Sequence, residues 1–461
     1  MKITKEINKE IFRAYDIRGI ADTDLTDDVV YTIARSFATH IRKMGKDTCV
    51  IGHDNRLSSE RIHNALTKGL LDSGINILDL ELTTTPMYYY ACIYEKIDCG
   101  IMITASHNPK EDNGLKFAFQ DYLNAKGEEI TEFYLETIKG DFLDGVGSIK
   151  KINVKKEYFN AIKEGLNFGN KRIKAILDPG NGTTAIILKD LYSMFPIDFT
   201  IINGESDGTF PNHHPDPSIE ANLEQLKAKV LETGADIGVS FDGDGDRVGV
   251  ITNKGKFLPI DYYMILIIRD IIDKVSNKTF LYDVKCSKSL EDEIIKLGGT
   301  PVCYRTGNSY TRSRVAELDM PFGGELSGHV YFRDRFLGFD SGLYAGLRII
   351  ELLSRNDKTI EELLTGINHY EATPELKYKS TDEKKREVVE KVIEYCKEKH
   401  YNINTIDGVR VTFNDGWASV RFSNTGPNIT SRFEASTKER LKEIQDEFES
   451  LINIINRRNN L

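Results

Sequence analysis

Short apolar runs recur along this chain, and three of them share one plan. Each is an apolar strand, then an Asp or Asp-bearing loop, then residues at helical spacing. They are TCVIGHDNR ending at Arg56, IKAILDPGNG ending at Gly182, and TFLYDVKCSK ending at Lys288. Their starts lie roughly 100 to 130 residues apart. Strands alternating with helical patterns predict α/β layers. The recurrence predicts three similarly built α/β domains, distant repeats of one another. After HYEATPE the pattern changes. A Lys- and Glu-rich helical stretch over 382–399 is followed by GVRVTF, WASVRFS and ITSRFEAS, which alternate like strands of an antiparallel sheet. A last helix is predicted over 437–457. This tail reads as a small α+β domain whose helical charges form a solvated face. The predicted divisions are 1–150, 151–253, 254–368 and 369–461.

Length and composition narrow the function classes. At 461 residues the chain can hold three or four domains. Hydrophobic residues make up 40% and charged residues 29%, ordinary for a soluble globular protein. A net charge of -10 argues against non-specific nucleic-acid binding, so any anionic substrate must be met by locally clustered Arg and Lys. The six cysteines contain no C-x-x-C pair, which fits reduced thiols in the cytoplasm rather than a disulfide frame or a zinc site. The opening MKITKEINKE lacks a signal-peptide core, and no run of about 18 apolar residues predicts a membrane span.

The densest chemistry lies in VSFDGDGDRVGVI, residues 239–251. Asp242, Asp244 and Asp246 alternate with Gly243 and Gly245 between two apolar runs, as in a tight loop joining two strands. Three close carboxylates repel unless a cation joins them, and hard oxygen ligands suit magnesium better than zinc. Arg247 adds a fixed positive fork suited to phosphate. An EF-hand is excluded by spacing, because Arg247 and Asn253 stand at its sixth and twelfth positions. An acidic surface turn is the plain alternative. Asp242 as a phosphate-accepting nucleophile stays open on this segment alone.

Three further loops carry candidate groups. In GIMITASHNPKEDNGLKF, residues 100–117, Pro109 stops a buried-type strand and leaves Ser106 at its carboxyl end, where ligands of α/β sheets bind. Ser106 is a candidate nucleophile or phosphate carrier, against a turn-forming serine. Without a G-x-S-x-G elbow, serine-hydrolase chemistry is not favoured. Lys116 could shuttle a proton or neutralise charge. In PFGGELSGHVYF, residues 321–332, Glu325, Ser327 and His329 share a face if the segment is extended. They suit sugar hydroxyls, with His329 available for proton transfer. In SVRFSNTGPNIT, residues 419–430, Arg421, Ser423, Asn424 and Thr425 form an anion cradle that is not a Walker loop. Tyr15, Arg18 and Lys285 are weaker single signals.

These four loops, in this order, resemble those of the α-D-phosphohexomutase family, which includes phosphoglucomutases and phosphomannomutases. TASHNP looks like its phosphoserine loop, DGDGDR its metal loop, GELSGH its sugar loop and RFSNTGP its phosphate loop. The resemblance implies three alike α/β domains with mixed sheets and a different, α+β fourth, around a central cleft. It implies that Ser106 is phosphorylated and that Asp242, Asp244 and Asp246 bind magnesium together with the phosphoserine oxygen. Arg247 would lie beside them, with Lys116 and His329 as proton-transfer candidates. Glu325 and Ser327 would grip sugar hydroxyls. Arg421, Ser423, Asn424 and Thr425 would hold the non-reacting phosphate. Tyr15, Arg18, Lys285 and Asn308 would occupy other substrate-binding positions of the cleft. The implied reaction interconverts hexose 1-phosphate and hexose 6-phosphate through a hexose 1,6-bisphosphate, in a cytoplasmic monomer or dimer. The SNT form of the last loop favours glucose and mannose over glucosamine; phosphoglucosamine mutase is the alternative within the family. Two departures stand out. Asn308 occupies a position where relatives often carry His, which bears on sugar preference. GHDNR differs from the more usual GRDGR, which leaves the role of that loop open.

Overall fold

The computed structural model describes residues 1–423 and 428–458. It contains four sheets in chain order, the first three mixed and the last antiparallel. The three segments with a shared sequence plan form strands Thr48–His53, Ile173–Asp178 and Thr279–Asp283. Each lies between two parallel neighbours. On one side is the next strand in the chain, Asn76–Leu82, Ile197–Ile201 or Thr300–Tyr304. On the other is the strand after that, Gly100–Ile103, Ile237–Phe241 or Phe322–Gly324. This third strand then turns back into an antiparallel fourth: Asp112–Ala118, Val248–Thr252 or Val330–Phe332. The same four-strand topology therefore occurs three times. In every copy the turn from third to fourth strand carries a candidate loop: residues 104–111, 242–247 and 325–329.

Helices fill the parallel crossovers, as parallel pairing requires. The first unit uses Ser59–Asp72 and Thr85–Glu95, and Thr84 caps the latter by accepting from Met87 N. One hydrophobic core runs through all three units, with Met87 and Tyr88 of the first, Val239 and Phe241 of the second, and Phe332 and Leu347 of the third. Helix Gly342–Ser354 ties them together. It comes late in the third unit, yet it packs on strands Ile173–Asp178, Ile237–Phe241 and Val248–Thr252 of the second. It is buried along its whole length.

The tail forms its own core under helices Asp382–Glu398 and Lys438–Arg458. The last helix starts one residue later than the pattern predicts, because the Thr437 hydroxyl accepts from Arg440 N and so caps the helix from outside. Polar contacts dock this sheet on the third unit. Arg410 donates to the carbonyls of Val284 (2.6 Å) and Cys286 (3.1 Å), and Thr306 N donates to Asp407 Oδ2 at 2.9 Å. Among the described residues no helix is long and apolar enough to cross a membrane. All six cysteines are free, five of them buried.

Candidate active site

The carboxyl ends of parallel strands converge from the first and second units on one point. Ser106 follows strand Gly100–Ile103 and is 2% exposed, with φ +52° in the left-handed region. Its N–H donates to Thr104 Oγ1 at 2.8 Å. Its hydroxyl donates to Asp242 Oδ2 at 2.6 Å, a contact across 136 residues of chain. Asp242, Asp244 and Asp246 occupy the turn between Ile237–Phe241 and Val248–Thr252, and all three are fully buried. One carboxylate oxygen from each falls within 4.8 Å of the others. Gly245, at φ +84°, makes that turn. Asp242 Oδ1 accepts from the N–H groups of Gly245 (3.0 Å) and Arg247 (3.1 Å).

Charge in this turn is strongly unbalanced. Burial, then Asp244 and Asp246, push Asp242 well above the ordinary carboxylate range. Burial also opposes ionisation of the other two, but Lys116 holds both below it. Lys116, on strand Asp112–Ala118, reaches across to Asp244 Oδ2 at 2.8 Å and to Asp246 Oδ2. Burial alone would lower the Lys116 ammonium, yet the two aspartates hold it well above its usual range. Lys116 meets only two of the three carboxylates, and Asp244 Oδ1 is buried without a hydrogen-bond partner among the described residues. An orphaned oxygen in a cluster of hard donors fits a divalent cation.

The third unit supplies His329. Its Nε2 lies 3.2 Å from Asp246 Oδ1 and 3.7 Å from Asp340 Oδ2. Its Nδ1 lies 3.3 Å from Glu325 Oε2 and 3.0 Å from Ser327 Oγ. Burial would lower its pKa, but Asp246, then Glu325, raise it to about 9 against the opposing charge of Arg247. Arg247 Nε is 3.3 Å from His329 Nε2 and 3.8 Å from Asp242 Oδ2. The segment that carries Glu325, Ser327 and His329 is not extended. It is a turn between Phe322–Gly324 and Val330–Phe332, and the turn rather than strand alternation brings Glu325 and Ser327 to one ring nitrogen.

A cavity of about 460 Å³ opens above these groups, lined among others by Tyr15, Arg18, Ser106, Lys116, Arg247, Asn308 and His329. Arg18 is held by Asp16 at 2.8 Å, and Asn308 donates to Asp340 at 3.2 Å. Glu325 borders the cavity through His329 and also accepts from Gly307 N at 2.5 Å. Lys285, Arg421 and Ser423 do not line it. Lys285 lies 3.7 Å from Asp283, and Arg421 pairs with Asp407 at 2.8 Å. The Ser423 carbonyl accepts from Lys385 at 2.9 Å. Asn424 and Thr425 lie outside the described residues. Three residues to which the sequence pattern gives no role stand at the site. Thr85 donates to Asp244 Oδ2 at 2.6 Å, Asp340 backs His329, and His107 lies beside Ser106 with its imidazole held well below the usual range by burial and then Arg247. The only sequence signal for Thr85 is the run Thr83-Thr84-Thr85 opening a helix.

Comparison with known proteins places this geometry. Family models described as phosphoglucomutase/phosphomannomutase alpha/beta/alpha domains I, II and III match residues 9–143, 156–255 and 259–370. The C-terminal domain of the same family matches residues 375–451. The chain belongs to the phosphoglucomutase/phosphomannomutase family. It is therefore a phosphohexomutase, an enzyme of the isomerase class. The phosphomannomutase/phosphoglucomutase of Pseudomonas aeruginosa is 36% identical over 445 residues, covering 96% of each chain. A phosphoglucomutase of Neisseria meningitidis is 36% identical over 450 residues, covering 97% of each. The crystal structure of a family member from Burkholderia thailandensis superposes with a TM-score of 0.90 at 34% identity, covering 97% of this chain and 98% of that one.

Proposed function

We propose that this phosphohexomutase interconverts the 1-phosphates and 6-phosphates of mannose and glucose, through a phosphoserine at Ser106 and a hexose 1,6-bisphosphate. One observation carries the reading: the Ser106 hydroxyl donates to Asp242 at 2.6 Å, beside a cavity walled by Arg18, Lys116, Arg247 and His329. Relatives named for both sugars support the substrate range. Asp242, Asp244 and Asp246, with an oxygen of the phosphorylated serine, would hold magnesium, which offsets charge on a phosphoryl group in transfer.

Phosphorylated Ser106 gives its phosphoryl group to the free hydroxyl of the bound hexose phosphate. The O–P bond at Ser106 breaks, a new one forms at the sugar, and the hydroxyl proton ends on Ser106 Oγ. After the bisphosphate turns over, its other phosphate returns to Ser106 by the reverse step. Lys116 and His329 are the candidates for moving the proton, and Arg247 steadies the phosphoryl group. Glu325 and Ser327 grip sugar hydroxyls, while Tyr15, Arg18, Lys285 and Asn308 make further substrate contacts. Arg421, Ser423, Asn424 and Thr425 hold the phosphate that is not reacting once the fourth domain closes on the bound sugar, since Arg421 and Ser423 stand outside the cavity before closure. Six free thiols suit a reducing cytoplasm.

A coupled assay primed with the 1,6-bisphosphate tests the reading with glucose 1-phosphate, mannose 1-phosphate and glucosamine 1-phosphate. Turnover of the first two is expected, and preference for the third overturns the sugar range. Ser106→Ala should stay folded and lose more than about 10⁴-fold in kcat. Mass spectrometry should find phosphate on Ser106 of the parent. A labile acyl phosphate on Asp242 would instead make the aspartate the carrier.

A further inference from the structure

Arg56 belongs to GHDNR, the loop after the first repeated strand, and it sits behind the Ser106 loop. Its side chain is fully buried. All four terminal N–H groups of its guanidinium go to carbonyl oxygens of that one loop. Nη1 donates to Pro109 (2.5 Å) and Asp112 (2.9 Å), and Nη2 to Ser106 (2.9 Å) and Asn108 (2.7 Å). Nε faces Asp54 Oδ2 at 3.3 Å. Asp54 is itself fixed, because its Oδ1 accepts from Ser59 Oγ at 2.5 Å and from Arg56 N at 3.1 Å. Phe210 of the second unit covers the guanidinium, with its ring centre 5.3 Å away.

What this fork holds is unusual. Ser106 is not glycine, yet it stands at φ +52°. Such a conformation persists only where its surroundings over-determine it. The carbonyl of residue 106 would swing if that conformation relaxed. Arg56 Nη2 holds it, and the aspartate turn stands close against it as well, since a Cβ built at Gly243 would lie 2.4 Å from the same oxygen.

We propose that Arg56 is a positioning residue for phosphoryl transfer. Acting through the backbone of residues 106–112, it holds the Ser106 hydroxyl against the aspartate turn. This rests on Ser106 being the phosphoryl carrier. Arg56 does not line the cavity, so it acts on the geometry of the transfer step and not on hexose phosphate binding. The planar fork is the feature that matters. A lysine keeps the charge but cannot serve four carbonyls spread along one loop. Misplacing a reacting group by about 1 Å costs on the order of 100-fold in rate.

The test compares the parent, Ser106→Ala, Arg56→Lys and Arg56→Met in the coupled assay. Loading of Ser106 by the 1,6-bisphosphate is followed by phosphopeptide mass spectrometry, and folding by circular dichroism. Arg56→Lys is expected to fold and keep KM within about threefold. Its kcat and its Ser106 loading rate should both fall about 100-fold, with Arg56→Met at least as impaired. A kcat loss under about tenfold in Arg56→Lys overturns the assignment. So does a KM that rises in step with the loss. Failure of both variants to fold assigns Arg56 to the fold alone and overturns it too. An inactive parent without phosphoserine would defeat the mutase reading itself. An active parent beside equally active Arg56 variants would defeat only the positioning role.

Discussion

Gly243→Ala tests whether the aspartate turn and the serine loop are seated against one another. The φ of Gly243 lies outside the left-handed region, so alanine meets no backbone penalty and the perturbation is steric. The added Cβ would stand 2.4 Å from the Ser106 carbonyl oxygen and 3.6 Å from Pro215 Cγ. Contacts under 3.0 Å are essentially never tolerated, so at least about 0.6 Å of movement is forced, and about 1 Å for ordinary van der Waals contact. The carbonyl cannot yield easily, because Arg56 grips it at 2.9 Å. The displacement must therefore open the 2.6 Å contact between Ser106 and Asp242 or distort the aspartate turn. Overpacking of this kind costs roughly 1–3 kcal/mol of stability. A shift of about 1 Å at the reacting groups costs on the order of 100-fold in kcat. Steady-state kinetics and thermal unfolding of purified variant and parent read both effects. A variant with kcat within threefold of the parent and an unchanged Tm would refute the close seating.

The other predictions concern charge. His213 pairs with buried Asp178 at 3.0 Å; burial opposes its charge, but Asp178 and the His214 carbonyl raise its pKa above 6.5. Stabilisation by this pair is complete below about pH 6.5 and is lost as pH rises through the raised value. The Tm gap between parent and His213→Gln should be wider at pH 6 than at pH 9, and a gap independent of pH would remove the imidazolium from the account. Magnesium added to chelator-treated protein should raise Tm, by about 2.7 kcal/mol of stabilisation at 100 times its Kd. Asp244→Asn should remove most of that rise, and a parent insensitive to magnesium would refute the cation role of the three aspartates.

Much of the site is legible in local pattern. DGDGDR, TASHNP and GELSGH are each bounded by apolar runs and punctuated by Gly or Pro, and each proves to be a turn at the end of a strand. The repeat is legible too, but its chemical meaning is displaced. The recurring signal is the first strand of each unit, whereas the candidate groups sit on the turn from third to fourth strand. GHDNR illustrates the difference: its sequence leaves the role of the loop open, and in the fold Arg56 donates to carbonyls of the Ser106 loop from behind. Thr85 left only a run of threonines opening a helix, because its partner Asp244 lies 159 residues along the chain, and Asp340 matters through a contact with His329 that only the folded loops create.

Residue types and spacing alone pointed to the ligand chemistry, since three carboxylates alternating with two glycines suit a hard cation once a fold buries them together. They determined the strand and helix periodicities that build the layers as well. Only the tertiary structure decided that Ser106 faces Asp242, that Lys116 spans Asp244 and Asp246, and that Asp246 and Glu325 surround the buried His329 and raise its pKa. The reason is physical. Hydrogen bonds and buried charges act over a few ångströms with a strength set by desolvation, and neither distance nor burial across more than a hundred residues is written in the neighbouring letters.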